Sequence, residues 1–141
     1  MVGLLHMPDF NQIQTGEYYE LLAIQRIIEC GANVSRPELT CRYDFVVDNG
    51  QLHRVQVKTG QPVRGSDTSI VVELKSETRT SSNKYTSDEV DVFLVYHKNA
   101  DTFYWIPIER IDNDTSFTVY TGNSPQHNSR IASEYQLEDW L

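Results

Sequence analysis

Four polar side chains are the strongest candidates for chemistry in this sequence. They are two acids, an amide and a lysine: Glu20, Asp44, Gln56 and Lys58. Oxygen donors of this kind hold hard divalent cations, and a bound cation acidifies water and stabilises charge on a phosphoryl group. A neighbouring lysine orients the water or neutralises the developing negative charge. An ordinary solvated hairpin has the same residue spacing, so the spacing alone leaves both interpretations open.

A β-hairpin brings three of these side chains together. Its predicted arms are residues 42–47 and 52–58, and the dipeptide Asn49-Gly50 between them favours a type I′ turn. On the second arm Gln56 and Lys58 alternate with valines, so both polar side chains lie on one face of the sheet. Asp44 is on the paired arm, which predicts a polar cluster at one end of the hairpin.

The fourth candidate, Glu20, lies on a predicted helix over residues 16–30. Thr15 and Gly16 are suitable residues for the start of this helix, and Gly31 is suited to its C-terminal end. The apolar positions follow helical spacing and include Leu21, Ile24, Ile27 and Ile28. Glu20 shares a face with Ile24 and Ile27, at the edge of the apolar stripe. A carboxylate there needs a cation, an arginine partner or access to solvent.

The remaining elements are mostly strands. They are predicted near residue 34 and at 69–74, 90–97, 103–108 and 116–120, with a short C-terminal helix within 130–141. This order indicates an α+β, or mixed α/β, fold with a central mixed β-sheet flanked by helices. The length of 141 residues corresponds to a single domain.

The charge distribution identifies one basic part of an acidic chain. The formal net charge is −8, which excludes a uniformly basic nucleic-acid coat protein. Residues 50–85 nevertheless carry six basic and three acidic side chains. We expect five of the basic residues to contact phosphates: Arg54, Arg64, Lys75, Arg79 and Lys84.

Two cysteines, without a CxxC motif or paired histidines, argue against a structural zinc site. No apolar run reaches the length of about 20 residues that a membrane span needs. We therefore expect a soluble, cytoplasmic protein with no membrane partner.

The residues around the four candidates resemble the PD-(D/E)XK nuclease superfamily. Residues 15–60 contain a helix with GExxE, then G-x-x-V-S-x-P, then YD, then the strand R-V-Q-V-K-T. Residues 84–108 are similar to the second half of the family. The branch in which QxK replaces ExK is the most similar, and it includes group I intron homing endonucleases and small archaeal Holliday-junction-resolvase-like enzymes. The resemblance covers about residues 15–108 and implies a restriction-endonuclease-like core, with 109–141 as a C-terminal extension of the same domain.

The resemblance also implies roles for individual residues. Glu20 matches the acid of the first helix, with Glu17 as a weaker alternative, and Asp44 matches the metal-binding aspartate. Gln56 replaces the usual acid, which removes one negative charge from the site, and Lys58 matches the catalytic lysine. The metal ligands would be Glu20, Asp44, Gln56 and the carbonyl of Val57. The implied cofactor is Mg²⁺, with Mn²⁺ able to substitute.

The implied activity is that of a divalent-metal-dependent DNA endonuclease, similar to a homing endonuclease or a Holliday junction resolvase. The alternative is a catalytically weak or inactive nuclease-fold module that binds nucleic acid or a protein partner. Cutting two strands symmetrically is simplest with two copies of the chain, so we expect a homodimer or a higher homo-oligomer. The apolar C-terminal end and the strand at 90–97 are the candidate contact surfaces.

Overall fold

The computed structural model describes residues 9–74, 85–111, 115–122 and 130–141. The seven strands and two helices, in chain order, are α1 (Gln12–Glu29), β1 (Asn33–Ser35), β2 (Phe45–Asp48), β3 (Leu52–Pro62), β4 (Ser69–Glu73), β5 (Val92–His97), β6 (Thr102–Pro107), β7 (Ser116–Tyr120) and α2 (Leu137–Trp140). Single 3₁₀ turns lie at Lys98–Ala100, Ile108–Arg110 and Ala132–Glu134. Within the described residues, no helix is long and apolar enough to cross a membrane.

Helix α1 begins four residues earlier than the sequence predicted. The Asn11 side chain accepts the Gln14 N–H at 2.8 Å, and the Gln14 side chain accepts the Asn11 N–H at 3.1 Å. This capping box satisfies backbone donors that would otherwise lack partners, and so it sets the start of the helix. The end of the helix was predicted correctly, because Gly31 has the positive φ of 91° that suits glycine.

The buried face of α1 differs in part from the prediction. The helix buries Tyr19, Ala23 and Ile27 at a spacing of four residues, whereas Leu21 and Ile28 are 60% and 56% exposed. The buried stripe has one residue in each turn and is therefore narrower than the apolar pattern suggested. Glu20 is half-buried beside Tyr19 and lies at the edge of this stripe, as predicted.

The strands form one seven-stranded mixed sheet with β3 at its centre. The 11-residue strand β3 pairs antiparallel with β2 through its first residues and parallel with β5 from Val55 to Gly60. Its last two residues pair with β4, which continues to β7, while β6 lies beside β5. The sheet confirms the predicted α+β class with a mixed central sheet.

The turn between β2 and β3 corrects the predicted type I′ geometry. Asp48 pairs with Leu52, which leaves a three-residue loop, and only Gly50 within it has a positive φ, of 106°. The Asp48 carboxylate accepts the Gly50 N–H at 3.0 Å, and the Asn49 amide oxygen accepts the Gln51 N–H at 3.3 Å. These side-chain bonds stabilise the longer loop at the expense of a two-residue turn.

Two buried clusters cover the two faces of the sheet, as alternate residues of β5 illustrate. Val92 and Leu94 pack with α1, β2 and β6, while Phe93 and Val95 pack with β4 and β7. A strand covered on both faces is buried along its whole length. The expectation that residues 90–97 form a contact surface between chains is therefore wrong.

The C-terminal part of the chain contributes to the same sheet. Strand β7 lies within the expected extension 109–141 and is hydrogen-bonded to β4. The predicted C-terminal helix is reduced to a 3₁₀ turn and the four-residue α2. The division into a core at 15–108 and an extension stays a prediction.

Candidate active site

Asp44 is the centre of the candidate site, because its position is fixed by β3. The ladder between β2 and β3 ends at the pair Phe45–Val55. Immediately before it, the Asp44 N–H donates to the Val55 carbonyl at 2.8 Å. The Asp44 carboxylate then accepts the Val57 N–H at 2.7 Å. The Asp44 carboxylate thus takes the place of a neighbouring strand as the hydrogen-bond partner of the Val57 N–H. Val57 lies between Gln56 and Lys58 on β3.

The environment of the site raises the pKa of both of its carboxylates. Burial raises the pKa of Asp44, against the opposing effects of the Val57 hydrogen bond and the positive charges of Lys58 and Arg36. Burial also raises the pKa of Glu20, and the Asp44 carboxylate raises it further. Two half-buried like charges that repel one another are stabilised by a cation placed between them. The pair therefore has the electrostatics of a cation-binding site.

Both carboxylates line one cleft, with a volume of about 250 Å³. Arg36 faces this cleft, as does the segment 37–41 that connects β1 to the hairpin. Arg36 lowers the pKa of Glu20 and of Asp44, although burial is the larger effect in both cases. The structure therefore brings Glu20 to Asp44, as the sequence predicted, and adds an arginine that the sequence analysis did not assign to the site.

Gln56 and Lys58 lie on the face of β3 opposite the valines, as predicted. They are in register with Phe93 and Val95 of β5, whose side chains belong to the cluster that faces β4 and β7. Val57 instead packs against the cluster beneath α1. The positive charge of Lys58 lowers the pKa of Asp44, which connects this lysine electrostatically to the cleft.

Tyr85 holds two cations near the site. Its ring centroid lies 5.2 Å from Lys58 Nζ and 4.1 Å from Arg42 Cζ. Phe93 supports the ring in an edge-on contact, with centroids 5.1 Å apart. The face of an aromatic ring attracts a cation within about 6 Å, so Tyr85 both anchors its own segment and restrains Lys58.

The two carboxylates that line the cleft, Glu20 and Asp44, are donors of the type that a hard divalent cation takes. Within the described residues, no three His, Cys, Asp or Glu side chains form a metal-binding group. Two carboxylates with an amide oxygen are nonetheless suitable donors for Mg²⁺ or Mn²⁺. In the part of the chain that the structure describes, the Gln56 amide makes no hydrogen bond that would compete for its oxygen. The ligand roles of these residues and of the Val57 carbonyl stay predictions.

Arg54 has a structural role that the sequence analysis missed. Its guanidinium binds the Asp91 carboxylate at 2.9 and 3.0 Å, the Ser87 carbonyl at 2.8 Å, and the Asp88 carbonyl. The Asp91 carboxylate also accepts the Arg54 N–H at 2.8 Å. These bonds fasten the segment 87–91, which follows Tyr85, to β3. The expected contact of Arg54 with DNA stays a prediction.

The other expected DNA contacts are dispersed along the chain. Arg64 is exposed in the turn between β3 and β4. Lys75, Arg79 and Lys84 lie outside the described residues. The sequence analysis missed Arg36 at the cleft. This residue follows the strand predicted near residue 34 and precedes Pro37, and neither feature assigns it to the site.

Comparisons with known proteins bear on the family and the fold of the chain. The sequence model of the PD-(D/E)XK endonuclease family matches residues 10–140. The solved structure of a bacterial homing endonuclease, I-Ssp6803I, is similar in fold, with a TM-score of 0.68 and 23% sequence identity. That likeness covers 92% of this chain and 88% of the other. No curated protein matches the chain.

Proposed function

This chain belongs to the PD-(D/E)XK endonuclease family, and from that premise we propose that it is a divalent-metal-dependent endonuclease that hydrolyses phosphodiester bonds of DNA inside the cell. The observation that carries the proposal is the position of Asp44. Its carboxylate is bound to the Val57 N–H at 2.7 Å, shares a cleft with Glu20 and is attracted to Lys58. This arrangement joins three of the four candidate residues and includes the strand that carries the fourth.

Each residue then has a separate task. Glu20, Asp44, the Gln56 amide oxygen and the Val57 carbonyl would hold Mg²⁺, or Mn²⁺ in its place. When bound, the cation supplies acidified water and stabilisation of charge on the phosphoryl group. Lys58 neutralises the negative charge that develops on the phosphate oxygens. The Tyr85 ring, 5.2 Å from Lys58 Nζ, limits the ammonium group to the polar face of β3.

We further propose a homing-endonuclease-like activity on duplex DNA. The similarity in fold to a bacterial homing endonuclease supports this choice. A Holliday-junction-resolvase-like activity is the other member of the same reaction class, and a branched substrate tests it. Cleavage of both strands calls for two copies of the site, and we propose that the chain acts as a homodimer or higher homo-oligomer. Light scattering coupled to gel filtration measures that state directly.

A cleavage assay tests the main proposal. The protein is incubated with supercoiled plasmid, linear duplex or a four-way junction, in Mg²⁺, Mn²⁺ or EDTA. Lys58→Ala is compared with Lys98→Ala, which removes an exposed lysine outside the cleft. We expect metal-dependent cleavage that Lys58→Ala abolishes and Lys98→Ala retains. Cleavage in EDTA, or equal loss in both variants, contradicts the proposal.

Gln56 favours a second candidate, the catalytically weak or inactive nuclease-fold module. A neutral amide in place of a carboxylate leaves the site with one negative charge fewer, which weakens metal binding. The discriminating variant is Gln56→Glu. A chain that binds DNA without cutting it, and that gains cleavage on Gln56→Glu, is such a module. A wild-type chain that cuts excludes it.

A further inference from the structure

Arg36 is the cation of the candidate cleft. It lines the cleft with Glu20 and Asp44, and its side chain is exposed. Within the described parts of the chain it makes no hydrogen bond and no ion pair. Other arginines near the site are engaged: Arg54 with Asp91, and Arg42 with Glu89.

The backbone at Arg36 is held in place by its neighbours. Ser35, the preceding residue, pairs with Val46 of β2. Pro37 follows, and its ring fixes its own φ and restricts the residue before it to extended conformations. Arg36 is therefore presented from a rigid position beside the hairpin, and only its side chain retains freedom. Such a cation reaches a ligand at the cleft without a cost for ordering the backbone.

The Arg36 guanidinium itself, and not the cleft as a whole, is suited to an anionic ligand. Among the residues described at this cleft, Arg36 is the single cation, and the acids are Glu20, Glu38 and Asp44. It lies near enough to two of them to lower their pKa values, yet it pairs with none of the three. An arginine offers a planar, permanently charged fork that matches phosphate oxygens.

We infer that Arg36 binds a backbone phosphate of the DNA strand that enters this cleft, and so positions that strand beside Asp44. The inference rests on the proposed DNA substrate and deepens it by naming a contact residue. The ligand is a phosphodiester oxygen, which carries no sequence information. Arg36 is thus a positioning residue, and it sets the affinity and register of the strand.

The test measures DNA affinity without metal, so that it does not depend on cleavage. A short fluorescein-labelled duplex is titrated in EDTA over a range of salt concentrations, and its anisotropy is recorded. The chains compared are wild type, Arg36→Ala, Arg36→Lys and Arg110→Ala, the last removing an exposed arginine that does not line the cleft. The series is repeated with Asp44→Asn, which removes one repulsive charge from the cleft and blocks cleavage.

Arg36→Ala is expected to weaken binding about five- to tenfold at low salt, and to reduce the slope of log affinity against log salt by about 0.9, the value for one phosphate contact. Arg36→Lys retains the slope because it retains the charge, and Arg110→Ala leaves affinity and slope unchanged. Urea unfolding of Arg36→Ala matches that of wild type, because the side chain makes no bond within the described chain.

An unchanged salt slope in Arg36→Ala overturns the inference, as does a slope equally reduced by Arg110→Ala. Loss of stability with an unchanged slope assigns Arg36 a purely structural role and also overturns it. A wild-type chain that binds the duplex but never cuts it contradicts the proposed catalysis while leaving the Arg36 result readable. No binding by any of the chains contradicts both.

Discussion

Replacement of Asp44 separates its two functions, because the carboxylate is both a hydrogen-bond acceptor and a half-buried charge. Asp44→Ala leaves the Val57 N–H without the acceptor that lies 2.7 Å away. Leaving a partly buried donor unpaired costs up to about 1–3 kcal/mol of unfolding free energy. Asp44→Asn keeps an oxygen at that position and removes only the charge. We expect the unfolding free energy of Asp44→Asn to lie no more than about 1 kcal/mol below that of the wild type, or to exceed it. Both variants are expected to lose cleavage.

The direction of the Asp44 pKa shift decides the sign of this difference. Burial outweighs the attraction of Lys58 and Arg36, so that the pKa is raised. The folded state then favours the protonated acid, and ionisation lowers stability. Below the unfolded-state pKa of about 3.9, Asp44 costs the wild type nothing. As the pH rises through the raised pKa of the folded state, the wild type loses stability, whereas Asp44→Asn does not.

The assay is urea unfolding in EDTA, followed by tryptophan fluorescence from about pH 4 to about pH 8, the range over which this linkage acts. In a parallel series without EDTA, Ca²⁺ is added as a probe cation and is expected to stabilise only the wild type, by about 2.7 kcal/mol at a hundred times its dissociation constant. The reasoning is refuted if Asp44→Asn is as unstable as Asp44→Ala at every pH. It is equally refuted if Ca²⁺ stabilises all three chains alike.

Three further predictions address the neighbours of Asp44. Gln56→Glu adds a third carboxylate, and titration calorimetry is expected to give about tenfold tighter Ca²⁺ binding; unchanged affinity would place residue 56 outside the metal site. Tyr85→Leu removes the ring that faces Lys58 at 5.2 Å and is expected to lower kcat about tenfold, with KM unchanged and with activity retained in Tyr85→Phe; equal losses in both variants would argue against positioning by the ring. Arg54→Leu breaks the bonds to Asp91, which lower the pKa of that carboxylate. Urea unfolding is therefore expected to show a loss of about 2 kcal/mol in unfolding free energy above about pH 3.9, and a smaller loss at lower pH, where the Asp91 carboxylate is protonated. A loss that is constant with pH would contradict this account.

Local patterns predicted the elements that position the site. The alternation of polar residues and valines at 55–58 placed Gln56 and Lys58 on one face of β3, and Gly31 fixed the end of α1. The helix start was harder to predict, because Asn11 and Gln14 cap it from outside the apolar stripe. The turn at 49–51 was wrong for a similar reason, since side-chain hydrogen bonds competed with the preference of the Asn-Gly dipeptide.

The electrostatic environment of the site needed the tertiary structure. Nothing local distinguishes Arg36, which faces the cleft, from Arg54, which binds Asp91 across 37 sequence positions. Their separate roles depend on which chain segments meet, and hence on sheet topology. The parallel pairing of β3 with β5 could not be predicted for the same reason, because no local pattern indicates which strand becomes a neighbour.

This parallel pairing also bears on when the candidate site is assembled during synthesis of the chain. Strand β3 carries Gln56 and Lys58, but its second edge is completed only by β5, which is made later. The ring of Tyr85 and the Arg54 bonds to 87–91 likewise arrive after β3. Long-range pairings of this type form late in folding. A nascent chain on the ribosome therefore holds an incomplete candidate site until β5 has emerged.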